Sequence, residues 1–146
     1  MSVPRLTFVI GLAAALSCSS GNGLAPTDSD PTLGTIELGR DFEIRVGERV
    51  EVGEDGLAIL FREVREDSRC PVDVDCIWEG DAAVVLEVTI GRRSAEVIAL
   101  HTTLEPKAVV HADHEIRLVQ LDPDPLSTEP IRQRSYVATL SVNRGG

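Results

Sequence analysis

The residues with the clearest chemical potential lie close together in the segment Ser68–Gly80. It contains Cys70 and Cys76, two of the three cysteines of the chain, and the single tryptophan, Trp78. A structural zinc site needs several ligands at set spacings, such as paired C-x-x-C units, and the chain has no such unit. We therefore predict a disulfide between Cys70 and Cys76, with the indole of Trp78 packed against it.

Acidic side chains surround the two cysteines, at Asp67, Asp73, Asp75, Glu79 and Asp81. Asp73 and Asp75 would point to the same side of an extended segment, where carboxylates can gather around Ca²⁺. The calcium-loop pattern D-x-[DN]-x-[DN]-G is not matched, because Ile77 occupies the third ligand position. A solvated acidic surface is the simpler interpretation, and calcium binding is an alternative. We take Asp73, Asp75, Trp78 and Glu79 as a candidate binding surface.

A second group consists of histidines. If Ala112-Asp113 forms a two-residue hairpin turn, His111 and His114 face each other across it. Two imidazoles at that separation, with His101 as a third ligand from another strand, can hold Zn²⁺ or Cu²⁺. The order of residues matches neither H-E-x-x-H nor H-x-x-E-H. Two exposed turn histidines are the simpler interpretation, and a periplasmic metal-binding protein is the alternative.

The third candidate is a long loop, Asp122–Ser135, which is stiffened by prolines at positions 123, 125 and 130. Loops of this length often carry binding residues. Catalytic signatures such as G-x-S-x-G, the P-loop and the dinucleotide fingerprint are missing from the sequence. We therefore expect a non-catalytic binding module without a cofactor, whose ligand is a small molecule or an envelope protein. By analogy with other small β-scaffolds, inhibition of an exported hydrolase is a further alternative.

The N-terminal segment is typical of an exported protein. Leu6–Leu16 is an apolar run that follows Arg5, and it is too short to cross a hydrocarbon core roughly 30 Å thick. The residues Ala15-Leu16-Ser17-Cys18 resemble the lipobox of bacterial lipoproteins. That resemblance implies acylation of Cys18 and, with Ser19 next, anchoring on the periplasmic face of the outer membrane. An ordinary cleavage site, which would give a secreted protein, is the alternative.

Composition divides the chain into a signal peptide (1–17), a lipidated cysteine with a flexible tether (18–35) and one folded domain (36–146). The formal net charge is −10, and removal of Arg5 with the signal peptide makes it −11. A protein this acidic repels phosphate backbones, so nucleic acid is excluded as a partner and the lipid anchor is the expected membrane contact. We expect the domain to be monomeric.

Alternating apolar and polar residues predict an all-β fold, with runs such as Phe42–Val46, Leu57–Phe61 and Ala82–Ile90 separated by turn signals. The apolar phase changes at Arg62–Val64, where we expect a bulge or the end of the regular strand. In total the pattern indicates about eight antiparallel strands in a small sandwich or barrel, with one short-loop disulfide.

The central segment also resembles a family of small uncharacterised bacterial exported and lipoprotein domains. The shared features are the run Asp67-Ser68-Arg69-Cys70-Pro71, the pair Asp73-Val74 and the motif Cys76-Ile77-Trp78 followed by Gly80. The later segment Leu121–Pro125 and the pair Ser135-Tyr136 fit the same pattern, so the resemblance covers most of residues 39–144. It supports the fold and the envelope location, and it implies no activity.

Overall fold

The alternating pattern gives nine strands in residues 32–146, the part of the chain that the computed structural model describes. They are β1 (Thr32–Ile36), β2 (Asp41–Arg45), β3 (Arg49–Val52), β4 (Leu57–Arg65), β5 (Ala83–Ile90), β6 (Glu96–His101), β7 (Ala108–His111), β8 (His114–Asp122) and β9 (Val137–Arg144). A short 3₁₀ turn, Gln133–Ser135, precedes β9. These residues include no helix long and apolar enough to cross a membrane.

The predicted signal peptide, Cys18 and the tether up to residue 31 lie outside the described residues. Strand β1 begins at Thr32, within the segment that we predicted as tether. This strand begins four residues before the predicted boundary at residue 36.

The strands form two sheets, as expected for a sandwich. One has five strands in the order β1-β3-β4-β5-β6, and the other has four in the order β2-β9-β8-β7. The prediction of an all-β fold of about eight strands is confirmed. The prediction that all strands are antiparallel is wrong for β1, which pairs parallel to β3. The reason is that the chain crosses from β1 to β2 in the other sheet before it returns to form β3.

One apolar core fills the space between the sheets. Phe61 from the first sheet and Ile44 and Leu140 from the second are fully buried in it. Burial of each such side chain contributes about 1.5–3 kcal/mol. The register of β4 against β5 shifts between Phe61 and Glu63, and this bulge returns Val64 to the core. The phase change predicted at this position is therefore confirmed.

The strand directions place the three longest connections at one end of the sandwich, which we call the loop end. It comprises residues 46–48, 66–82, 102–107 and 123–136. The opposite end, which we call the turn end, comprises residues 37–40, 53–56, 91–95 and 112–113. Two segments that we predicted separately as recognition surfaces thus lie at the same end.

The hairpin between β7 and β8 lies at the turn end. His111 pairs with His114 across it, and Ala112 and Asp113 have positive φ angles of 47° and 63°. Left-handed conformation at both central residues is characteristic of a type I′ turn, which matches the twist of the flanking strands. The two-residue turn, which was the condition for the two histidines to face each other, is therefore present.

Candidate functional site

The connection between β4 and β5, residues 66–82, is called the cysteine loop below. A disulfide joins Cys70 to Cys76, whose Cα atoms are 5.9 Å apart, as predicted. Closure of so short a loop restricts the unfolded chain and stabilises the fold by about 2 kcal/mol. The bridge also limits the conformations that the tip of the loop can adopt.

Two backbone segments run side by side at the base of the cysteine loop. The N–H of Ser68 donates to the carbonyl oxygen of Asp81 at 2.7 Å, and the N–H of Cys70 donates to that of Glu79 at 2.8 Å. Gly80, between the two acceptors, has a positive φ of 69°. A Cβ atom at Gly80 would lie 1.8 Å from the carbonyl oxygen of Ser68. Glycine is therefore required there both for backbone conformation and for space.

A largely buried ion pair joins the cysteine loop to the second sheet. The guanidinium of Arg69 donates to both carboxylate oxygens of Asp67, at 2.9 and 2.8 Å, and the side chains are 11% and 13% exposed. Arg69 also donates to the carbonyl oxygens of Leu121 and Pro123, at 2.7 and 2.9 Å. The hydroxyl of Tyr136 donates to Asp67 at 2.8 Å. These bonds connect the loop to the end of β8 and the approach to β9.

The ionisation of this network follows from its contacts. Burial by itself would raise the pKa of Asp67, but hydrogen bonds from Arg69 and Tyr136 and the charge of Arg69 lower it below its usual range. Burial, together with the hydrogen bond to Asp67, raises the pKa of Tyr136 to about 12. At neutral pH the carboxylate is therefore ionised and the phenol is neutral, so the network is stable as one charged pair with one neutral donor.

The connection between β8 and β9, residues 123–136, is called the proline loop below. It contacts the cysteine loop directly, since the N–H of Val72 donates to the carbonyl oxygen of Pro125 at 3.0 Å. The backbone N–H and the hydroxyl of Ser127 donate to the carboxylate of Asp73, at 2.8 and 2.5 Å. These bonds from Ser127 lower the pKa of Asp73. The Asp73 carboxylate, predicted as part of a binding surface, is thus occupied by an internal contact.

Gln133 holds the proline loop against the first sheet. Its side-chain amide donates to the carbonyl oxygen of Val64 at 2.7 Å and accepts from the N–H of the same residue at 3.0 Å. A side chain thereby takes the place of a neighbouring strand beside β4. Sequence reasoning missed this contact, because the two residues are 69 positions apart and neither belongs to a recognisable motif.

Asp81 holds the connection 102–107 against the cysteine loop. Its carboxylate accepts hydrogen bonds from the N–H groups of Thr103 and Leu104, at 2.9 and 3.2 Å. The ring Nδ1 of His101 lies 2.6 Å from the same carboxylate. Burial opposes ionisation, but the hydrogen bonds from His101, Thr103 and Leu104 lower the pKa of Asp81 to about 2. Because an ionised carboxylate only accepts, the proton lies on Nδ1 of His101.

Large apolar side chains project from the tip of the cysteine loop. Ile77 is 92% exposed and Trp78 is 81% exposed, and Leu104 on the neighbouring connection is 59% exposed. The prediction that the indole packs on the disulfide is therefore wrong: the loop extends beyond both sheets, where no opposing side chains cover it. A cleft of about 530 Å³ lies between Trp78 and Leu104, and its lining includes Gly80.

Two carboxylates near Trp78 differ in their contacts from those of Asp67, Asp73 and Asp81. Asp75 and Glu79 are exposed, and within residues 32–146 neither forms an ion pair or a side-chain hydrogen bond. Of the four residues predicted as a binding surface, Asp75, Trp78 and Glu79 thus face solvent at the loop end. Together with Ile77 and Leu104 they form the surface that we call the tip surface.

His114 does not match the predicted exposed turn histidine, since it is only 1% exposed. Its inward position follows from strand alternation, because β8 directs His114 and the apolar Ile116 to the same face. The ring Nδ1 lies 2.9 Å from the carbonyl oxygen of Ala112 and must therefore donate. Nε2 has no hydrogen-bond partner in the described residues and lies 3.5 Å from the carboxylate of Asp55.

The structure does not bring the three histidines together. His111, the last residue of β7, pairs with Glu96 at 2.9 Å at the turn end. Glu96 is the first residue of β6, whereas His101 is the last residue of β6 and lies beside Asp81 at the loop end. The prediction of His101 as a third ligand is therefore wrong. Within residues 32–146, no group of three His, Cys, Asp or Glu side chains has a geometry that could hold a metal ion.

Comparisons with known proteins leave the site to be interpreted from its own geometry. No family model matches the chain, and neither a curated protein nor a solved structure matches it.

The close approach at Gly80 can be tested by substitution with alanine. We expect Gly80→Ala to lower the free energy of unfolding by about 2–4 kcal/mol, because strain from the positive φ adds to a backbone clash. Gly91→Ala is the matched control: its φ is also positive, at 54°, but no atom lies within 4 Å of the added Cβ. Gly91→Ala should lower the free energy of unfolding by only about 1–2 kcal/mol. Urea unfolding measures both, and equal losses would contradict a steric requirement at Gly80.

The role of Asp81 predicts a dependence of stability on pH. The folded pKa of about 2 lies below the ordinary value of 3.8, so the contribution of Asp81 is complete well above pH 4 and is lost as the pH falls towards 2. At pH 7, Asp81→Asn should lower the free energy of unfolding by about 1–3 kcal/mol. The difference from the unsubstituted protein should shrink between pH 4 and pH 2 in urea titrations. Asp75→Asn, at an unpaired position, should change stability by less than about 0.5 kcal/mol at either pH.

Proposed function

We propose that this protein is a non-catalytic binding module that recognises another protein through the tip surface. The observation that carries the proposal is the exposure of Ile77 and Trp78, at 92% and 81%, on a loop closed by a disulfide. Adjacent exposed apolar side chains are unfavourable in water and often mark interaction sites. Trp is also among the residues that contribute most to binding energy in protein interfaces.

The rigidity of the cysteine loop supports the same function. Binding by a mobile loop loses affinity because the loop must be ordered, whereas a loop held in one conformation avoids most of that cost. The disulfide, the Gly80 approach and the Arg69 hydrogen bonds all restrict this loop before any partner arrives. Inhibition of an exported hydrolase would be one specific form of such binding, because a constrained apolar loop suits insertion into a cleft.

The chemistry of the loop end favours binding over catalysis. The Asp81–His101 pair has the arrangement that orients a general base in hydrolases. In the described part of the chain, however, no hydroxyl or thiol forms a hydrogen bond with His101. Both cysteines of the domain are in the disulfide, so neither is available as a nucleophile. The contacts of Asp81 with Thr103 and Leu104 account for the pair as a structural element.

We expect the domain to act at a bacterial membrane surface, as a monomer anchored through acylated Cys18. Two features support this location: the lipobox-like sequence that ends at Cys18, and the Cys70–Cys76 disulfide, which persists in oxidising compartments outside the cytosol. The acyl chains would supply the membrane affinity, since more than one chain is needed for stable anchoring.

Substitution of Cys18 tests the anchor. We expect the unsubstituted protein, expressed in a Gram-negative host, to enter the detergent phase in a cloud-point partition. The Cys18→Ser variant, exported with an ordinary cleavable signal peptide in place of residues 1–17, should remain in the aqueous phase, because it lacks both the thiol that is acylated and the apolar run Leu6–Leu16. Ser19→Ala serves as the control and should partition like the unsubstituted protein. An unsubstituted protein that is found cleaved and in the aqueous phase would contradict lipid anchoring and favour secretion.

Substitutions at the tip test recognition itself. The Cys18→Ser chain, purified from the periplasm and immobilised, should retain a specific envelope protein that is identified by mass spectrometry. Trp78→Ala and Ile77→Ala should each reduce that retention by at least about tenfold, because they remove central apolar contacts. Unfolding free energies should change by less than about 0.5 kcal/mol, since both side chains are exposed.

Val97→Ala is the matched control for these variants. Val97 is 53% exposed on β6, away from the tip surface, and its substitution should leave retention unchanged. Equal retention by the unsubstituted, Trp78→Ala and Ile77→Ala proteins would exclude the tip surface as the recognition site.

A further inference from the structure

The charge and shape of the tip surface also indicate the chemistry of its ligand. We propose that the cleft between Trp78 and Leu104 binds an arginine side chain of the partner protein, with the guanidinium stacked on the indole and paired with Glu79. This inference rests on the proposed function, because it names the group that the same surface recognises.

The dimensions and lining of the cleft suit a long amphipathic side chain. The cleft has a volume of about 530 Å³, and the exposed apolar side chains of Ile77, Trp78 and Leu104 line it together with the polar residues Ser68, Asp81 and Thr103. These apolar walls match the methylene groups of arginine, which pack well on apolar surface. The backbone of Gly80 also lines the cleft.

The charge around the cleft is negative and unpaired. Glu79 lines the cleft, Asp75 is exposed on the same loop, and neither forms an ion pair in the described residues. Arg69 is the single basic residue of the cysteine loop, and its guanidinium is directed inward to Asp67 and to backbone carbonyls. The whole chain has a formal net charge of −10. An incoming cation would therefore meet attraction from the loop and no competing internal cation.

Other ligand classes fit the same surface less well. Anionic groups would be repelled by Glu79 and Asp75. A purely apolar ligand would desolvate the Glu79 carboxylate without a hydrogen-bond partner, which is unfavourable. Among cations, the planar guanidinium of arginine stacks on an indole and can form two hydrogen bonds to one carboxylate, whereas the lysine ammonium is compact and strongly hydrated. The geometry therefore favours arginine.

The single tryptophan provides a direct test, because one indole N–H signal in a ¹H–¹⁵N NMR spectrum reports on the cleft. The probe is the peptide acetyl-Gly-Leu-Arg-Leu-Gly-amide, titrated into the Cys18→Ser chain. The comparison peptide contains citrulline instead of arginine, which keeps the shape and removes the charge. We expect the arginine peptide to shift the Trp78 signal in a saturable manner and to bind at least about fivefold more tightly than the citrulline peptide.

Two variants complete the design. Glu79→Gln should weaken arginine binding by at least about fivefold and should reduce its sensitivity to salt, because the ion pair is lost. Glu51→Gln, at an exposed position of β3 outside the tip surface, should leave binding unchanged. Equal affinity for the two peptides, no saturable shift, or no effect of Glu79→Gln would each overturn the proposal. Loss of partner retention in Trp78→Ala together with any of these results would show that the surface is right and the ligand chemistry wrong.

Discussion

The arrangement of the loop end depends on the buried ion pair between Asp67 and Arg69. Removal of two charges from water is costly, and the cost is offset only when their remaining hydrogen-bonding groups are satisfied. Here the spare donors of Arg69 reach the carbonyl oxygens of Leu121 in β8 and Pro123 in the proline loop, and Asp67 accepts from Tyr136. The pair therefore fixes the position of the cysteine loop relative to the proline loop, because movement of either would leave a buried charge or carbonyl without a partner.

The position of the tip surface is a consequence of that constraint. With its base held by Arg69 and by the Ser68–Asp81 ladder, the cysteine loop extends past the two sheets. Neither Ile77 nor Trp78 belongs to the core cluster, and both remain in solvent. The fold thus keeps two large apolar side chains exposed on a constrained loop. Burial of such side chains by another molecule would lose little affinity to ordering of the loop.

The carboxylates at the loop end divide into two groups by their contacts. Asp67 and Asp81 accept several hydrogen bonds from other elements, which lower their pKa values, and each joins the cysteine loop to another connection. Asp75 and Glu79 lie in the same acidic stretch but form no such bonds within residues 32–146. The first group holds the connections together, and the second is exposed to solvent. Their similar sequence context conceals this difference.

The sequence by itself determined the all-β class, the disulfide and the change of apolar phase in β4, because each follows from local periodicity or from spacing between neighbours in the chain. The tertiary structure alone decided which polar groups are internal. His101 was separated from His111 because strand direction places them at opposite ends of the sandwich, and strand direction is not encoded locally. The exposure of Trp78 likewise depends on contacts between residues more than fifty positions apart, such as Arg69 with Leu121 and Pro123.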